Sequence, residues 1–348
     1  MISVIARKVG LLALVGATTL MVSHGAAIDG SLVGCERTQV ISLSAGWNAV
    51  YLEVEPVEAS PSEVFKGLPI DRVATLFQTP TSNQFVTDPS VDLFKGSGWG
   101  VWYAPDLPEA FLKSLDSIEG NRAYLVHAKT ACQWNPKGTV KFSTVRWLPD
   151  AYNFVGFSVE SPGAPTFQQF FAGSTAHHDQ TIYRLVNGRW KKVLQPGAES
   201  MRSGEAFWIY SKGASTYQGP ISVETTTRKG LLLGSGAGSL VLRNACSHPV
   251  SATLTHQVGS GPSVPLSILV KSFGDPSVPI RSVPTAMPSG EWTQSLPPLE
   301  AEASLSVPFE SRGGEMSQSR QDSLLKITSD MGTVTWVPVA AFRDDLAE

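Results

Sequence analysis

Gly46-Trp47-Asn48-Ala49-Val50-Tyr51-Leu52-Glu53-Val54 reads as a turn entering a β-strand. It recurs about a hundred residues later as Ala151-Tyr152-Asn153-Phe154-Val155-Gly156-Phe157-Ser158-Val159. Successive side chains of a strand point to opposite faces. Asn48, Val50, Leu52 and Val54 therefore share one face, and Trp47, Ala49, Tyr51 and Glu53 the other. In the second copy Asn153 opens a face continued by Val155, Phe157 and Val159. An Asn side chain can imitate a turn of backbone in its hydrogen bonds. Asn48 and Asn153 are therefore expected to fix strand entry in two copies of one module.

The residues that follow repeat in the same order. Module one is expected over 38–142 and module two over 147–223. Ser60-Pro61-Ser62-Glu63 has the form of a capping box with Pro at the first helical position. Val64, Phe65 and Leu68 are the apolar residues of that short helix. In module two, Pro165 opens a short helical pattern with Phe167, Phe170 and Phe171. Strands expected at 72–77, 99–103 and 123–128 have counterparts at 181–186, 189–193 and 205–212, and 139–142 reads as the last strand of module one. Asn187-Gly188 is a strong hairpin turn. Residues 79–97 are rich in Pro, Ser, Thr and Asn and read as a long surface loop that module two lacks.

Beyond a linker expected at 224–236, residues 239–342 alternate apolar and polar positions between Pro and Gly clusters. Leu240 and Leu242, Val307 and Phe309, and Val334 and Trp336 are examples. Many short strands with turn signals predict a β-sandwich, immunoglobulin-like in architecture only, since the Cys…Trp…Cys hallmark is missing. The fold class is thus mainly β: two related β-rich modules, each with one short helix, followed by a β-sandwich.

Residues 1–27 have the form of a signal peptide. Arg7 and Lys8 precede an apolar run, Gly10 to Val22, that is too short for an ordinary transmembrane span, and small residues lead to a cleavage site after Ala27. Leu32-Val33-Gly34-Cys35 resembles a lipobox, but twelve residues separate Val22 from Cys35, which argues against lipidation. No later segment is apolar enough over a sufficient length to span a membrane. The expected location is outside the cytoplasm: periplasm, cell surface or extracellular space. In an exported chain a disulfide is permitted. Cys35 precedes the first strand of module one and Cys132 its last. If those strands are neighbours, Cys35–Cys132 would close the module and leave Cys246 as a buried free thiol.

The Gly46-Trp47-Asn48-Ala49-Val50 turn, its Val/Leu strand and the Pro-started helix resemble tandem Gly-Trp-Asn-type β-rich modules of exported and cell-surface bacterial proteins. The resemblance covers roughly residues 41–223, and module two departs from it with Ala151-Tyr152 in place of Gly-Trp. It implies export and a non-catalytic scaffold or surface role, and it carries no functional residues across.

Residues that could carry chemistry are few. A net charge of −3 gives no electrostatic reason to expect nucleic acid or an anionic membrane as partner. No Cys/His spacing resembles a zinc site, no Gly-x-Ser-x-Gly elbow occurs, and no cofactor is expected. His177-His178-Asp179 is the best candidate for a metal or acid–base site, yet it lacks a third placed ligand. Glu53 and Glu55 share a strand face that reads as solvated. The aromatics remain. Trp99 and Trp190 occupy corresponding places, which suggests shared packing, and Trp102 and Tyr103, next to the long loop, are the candidate ligand-binding residues. The sequence supports an exported non-enzymatic protein acting through contacts with other envelope or extracellular proteins, as scaffold, adhesion or assembly component. The alternative is a carbohydrate-binding protein using exposed aromatics.

Overall fold

The computed structural model describes residues 36–77, 98–234, 237–259, 261–272 and 281–343. The apolar N-terminal run, Cys35 and the expected 79–97 loop lie outside the described residues.

Module one contains β1 (Glu36–Thr38), β2 (Ile41–Leu43), β3 (Gly46–Leu52), β4 (Val54–Pro56), helix α1 (Pro61–Val64), β5 (Ile70–Leu76), β6 (Trp99–Tyr103), β7 (Arg122–Ala128), β8 (Cys132–Trp134) and β9 (Lys137–Val140). Its main sheet has the order β3-β7-β5-β6. Module two contains β10 (Ala151–Gly156), α2 (Phe167–Phe171), β11 (Ile182–Val186), β12 (Arg189–Lys192) and β13 (Ala206–Ser211), and its sheet has the order β10-β13-β11-β12. The two orders are the same in chain terms, and so are the registers. Asn48 faces Val126 as Asn153 faces Ile209, and Val73 faces Val126 as Ile182 faces Ile209. Leu76 faces Trp99 as Leu185 faces Trp190.

Each asparagine holds the turn before its strand. Asn48 Oδ1 accepts from Ser44 N (2.9 Å), and its Nδ2 donates to the carbonyls of Ser44 (2.8 Å) and Gly46 (2.9 Å). Asn153 Oδ1 accepts from Leu148 N (2.8 Å), and its Nδ2 donates to Leu148 O and Ala151 O, both at 3.1 Å. Otherwise orphaned turn groups are thereby satisfied where the chain enters the sheet.

Both faces of both sheets are covered. One face of module one packs Val50, Leu52, Val73, Tyr124 and Val126 against Phe65, beyond the end of α1. The corresponding face of module two packs Val155, Ile182, Phe207 and Ile209 against Phe167, Phe170 and Phe171 of α2. The remaining faces meet each other. Ala49, Ala74, Val101, Tyr103, Ala123 and Leu125 of module one share a core with Phe154, Trp190, Ala206 and Trp208 of module two. Main-chain bonds join the modules as well: Tyr51 N donates to Gly204 O at 2.9 Å, and Val50 bridges Glu205.

The helix starts differ from the expectation. Ser60 precedes α1 without a side-chain cap bond, and Glu63 pairs instead with Lys66 at 3.1 Å. The reciprocal capping box lies in module two, between Thr166 and Gln169.

The sandwich begins earlier than the sequence suggests. β14 (Ile221–Thr225) and β15 (Leu231–Leu233) lie in the stretch read as the end of module two and a linker, yet both are sandwich strands. Leu231 and Leu233 are fully buried in its core, because β15 pairs in parallel with the final strand and completes one sheet. The others are β16 (Gly238–Asn244), β17 (Ala252–Val258), β18 (Leu266–Ser272), β19 (Arg281–Ala286), β20 (Trp292–Ser295), β21 (Ser304–Ser311), β22 (Arg320–Ser329) and β23 (Val334–Phe342). The two sheets have the orders β14-β16-β21-β18-β19 and β15-β23-β22-β17-β20. They enclose one core that includes Cys246, a fully buried free thiol. The sandwich is keyed into both modules. Leu324 enters the module-one core, and Val334 N donates to Ser158 O of module two at 3.0 Å.

Cys132 is half-buried with a free thiol that burial pushes up from its ordinary pKa. β1 does pair with a late strand of module one, but Glu36 lies opposite Thr139 whereas Cys132 lies opposite Leu43. The antiparallel register thus sets Cys132 apart from Glu36, and the expected Cys35–Cys132 pairing falls on a residue outside the described ones.

Candidate functional site

The sequence candidates for ligand binding are not on the surface. Trp102 is 4% exposed. Its ring packs on Phe65 at 5.5 Å and its Nε1 donates to Ser62 Oγ at 3.2 Å. Tyr103 is 5% exposed, in the core between the modules. They are neighbours on β6 and so point to opposite faces. Both faces are covered, so neither ring can stack on an external ligand. Trp99 packs near Phe154 (6.2 Å) and Trp208 (6.4 Å), and Trp190 is edge-on to Phe154 (5.9 Å). These rings join the modules.

His177, His178 and Asp179 diverge. His177 is 1% exposed, lies 3.9 Å from the Trp147 ring and bonds through Nδ1 to Ser174 Oγ at 2.6 Å. Burial holds its pKa down at about 4, so it is neutral in the fold. His178 is exposed and pairs only with its neighbour Asp179 at 2.9 Å. Among the described residues no group of three His, Cys, Asp or Glu side chains is placed to share a metal ion.

Glu53 departs from the solvated face expected of it. It is 5% exposed and paired with Arg37, whose guanidinium lies 4.6 Å from the Trp336 ring of the sandwich. Glu55 pairs with Lys141 at 2.9 Å. Arg37 and Glu53 line a polar cleft of about 1210 Å³ where the three units meet. On its other walls Arg184 donates to both carboxylate oxygens of Glu205 (3.2 and 2.6 Å), and Lys326 pairs with Glu160 at 2.5 Å. Each of these three cations already faces a carboxylate, and the Lys326–Glu160 pair ties the sandwich to module two.

Sequence reading also missed a His–Asp pair. His127 Nδ1 lies 2.5 Å from Asp71 Oδ1, with Trp47 edge-on to the imidazole at 5.1 Å. The pairing of β5 with β7 shifts register between Ile70 and Arg72, so Asp71 sits at an irregularity that brings its carboxylate beside His127. A strict period of two cannot forecast this.

The edges of the two equivalent sheets differ. In module one, the outward-facing groups of β6 are covered: Val101 N donates to Ser114 Oγ (3.1 Å), and Val101 O accepts from Ser114 N (2.7 Å) and Leu115 N (2.9 Å). In module two the corresponding strand, β12, carries exposed Arg189, Lys191 and Lys192 around buried Trp190. Its cations were present in the sequence, but their setting on a strand that no described strand pairs on its outer side was not.

No family model and no curated protein matches the chain. Among solved structures, the ASH/PapD-like domain of human CEP192 aligns over 36% of this chain and 87% of its own, with 11% identity and a TM-score of 0.21. A putative ApaA protein from Bordetella pertussis covers 36% of this chain and 92% of its own, with 12% identity and a TM-score of 0.15. A DUF4785 family protein from Legionella pneumophila covers 88% of each chain, with 10% identity and a TM-score of 0.19. Superpositions this loose leave the fold and the role of this chain to its own residues.

Proposed function

We propose that the chain is an exported, non-enzymatic cell-envelope or extracellular protein that works through protein–protein contacts, as a scaffold, adhesion or assembly component. The observation that supports this best is where the aromatics go. Trp99, Trp190, Trp208, Phe154 and Tyr103 lie between the modules, and Trp102 lies beneath the α1 segment. Large aromatic faces thus build one interlocked body and leave sheet edges and loops as its outer surface. Rigid sheets carrying exposed edges suit contact with other polypeptides. Burial of Trp102 and Tyr103 weighs against the alternative, a carbohydrate-binding protein using exposed aromatics, at the two residues singled out for it. The form of residues 1–27 supports export, and no helix among the described residues is long and apolar enough to cross a membrane.

Expression in a bacterial host, followed by fractionation, N-terminal sequencing and cross-linking in intact cells, tests the reading. The expected result is a chain beginning at Ile28, outside the cytoplasm and cross-linked into discrete complexes with other proteins. A cytoplasmic chain retaining residues 1–27, or an exported chain that cross-links to nothing, would overturn it.

A further inference from the structure

Among the described residues β12 is the open edge of the module-two sheet. It leaves the Asn187-Gly188 turn, whose positive φ values of 51° and 73° fit a primed two-residue hairpin. The pair flanking such a turn is hydrogen-bonded, and bonded and non-bonded pairs then alternate. Val186 with Arg189 and Arg184 with Lys191 are thus the bonded pairs, and the main-chain groups of Trp190 and Lys192 point away from β11. The next inward bond, Val193 N to Ile182 O at 2.9 Å, keeps this phase.

The registers make Lys192 the counterpart of Val101 in module one. There the outward N–H and C=O of Val101 are satisfied by Ser114 and Leu115 of the same chain. In module two, no described residue supplies an equivalent partner to Lys192. The open position is flanked by three exposed cations. Arg189 and Lys191 lie on one face, and Lys192, paired across the ladder with Tyr183, lies on the other. None of the three makes an ion pair with a described carboxylate. An added strand would therefore meet a cation on whichever face its side chains point.

We propose that the β12 edge binds an extended, acidic segment of another protein by strand addition, in the position that Ser114 and Leu115 occupy against β6 in module one. Main-chain bonds to Trp190 and Lys192 would supply the pairing, and Arg189, Lys191 and Lys192 would select for Asp and Glu. Lysines on an edge strand also discourage indiscriminate pairing; an acidic strand is the partner they do not repel. This inference rests on the protein-contact reading above and names the partner's chemistry.

The test uses the purified exported protein and a fluorescein-labelled peptide of about eight residues, long enough to span a typical strand, with Asp and Glu among Thr and Val. Fluorescence anisotropy should show saturable binding that weakens as salt is raised. Binding should fall about tenfold or more, a change of about one decade in Kd, for K191E/K192E, whose substitutions are exposed and should leave the unfolding midpoint unchanged. The same peptide N-methylated at alternate residues should also lose about tenfold or more, since it keeps the charge and cannot complete the ladder. No binding, equal binding of the N-methylated peptide, or equal binding of a Lys-for-acid peptide would overturn the proposal. Self-association of the protein that K191E/K192E abolishes would assign the edge to a second copy and overturn the acidic partner. If the peptide fails while cross-linking in cells persists, the edge proposal falls and the protein-contact reading stands; if both fail, both fall.

Discussion

The equivalent inner faces of the two modules carry different side chains, and the difference explains how they fit. Ala49 of module one corresponds to Phe154 of module two, and Leu125 to Trp208. Phe154 and Trp208 stack at 5.0 Å and share a core with the smaller Ala49, Ala74 and Ala123. The same logic holds at the strand ends. Tyr51 corresponds to Gly156, and a Cβ on Gly156 would lie 2.2 Å from Cβ of Tyr51. When two copies of one face pack together, like meets like, and bulky side chains collide. Divergence into large and small partners removes the collision and fills the interface to interior density.

Four probes test that contrast. The largest effect is expected at Trp208, which is fully buried between the modules. Trp208→Ala should cost about 3–5 kcal/mol in denaturant unfolding, and should destabilise module one together with module two. Gly156→Ala comes next. It forces backbone or Tyr51 to move and should cost about 1–3 kcal/mol. Gly46→Ala is not an equivalent control, because Gly46 has a φ of +91° and would be strained with nothing nearby.

The third probe is pH, and it belongs to module two. His177 is neutral in the fold with its pKa held down at about 4, against an ordinary value of 6.5. Below 6.5 the unfolded chain takes up a proton that the folded chain refuses, so stability is full above 6.5 and declines as pH falls toward 4. The loss should be at most about 3 kcal/mol, and His177→Gln should flatten this part of a stability–pH curve. His256, whose pKa burial also holds down, would remain as a smaller slope from the sandwich. The fourth probe sets the two turn asparagines against each other. Asn153 is 2% exposed and Asn48 half-buried. Asn153→Ala should cost about 1–3 kcal/mol by leaving the buried Ala151 carbonyl and the part-buried Leu148 groups without this partner, and Asn48→Ala should cost less, because water can reach Ser44.

Much of the architecture was legible in residues. The repeated strand with its leading asparagine and the order of the strands that follow come from period and turn chemistry. What could not be read was which faces are covered. A period of two says that Trp102 and Tyr103 lie on opposite faces; it does not say that a helix segment covers one and a second sheet the other. The polar positions were misjudged for a related reason. Glu53 looks solvated until the Arg37 of another strand and the Trp336 of another unit are brought beside it. The supposed linker failed through length. Ile221–Thr225 and Leu231–Leu233 are short strands whose partners, β16 and β23, are supplied only by the folded sandwich.

The claim on which the account depends most is that the two related sheets behave as one body joined through their equivalent faces. Native-state hydrogen exchange, comparing the wild-type chain with Trp208→Ala, tests it directly. The account predicts that amides of β3 and β7 in module one and of β10 and β13 in module two open with similar free energies and lose protection together in the variant. Loss of protection confined to β10 and β13, with β3 and β7 unchanged, would contradict it.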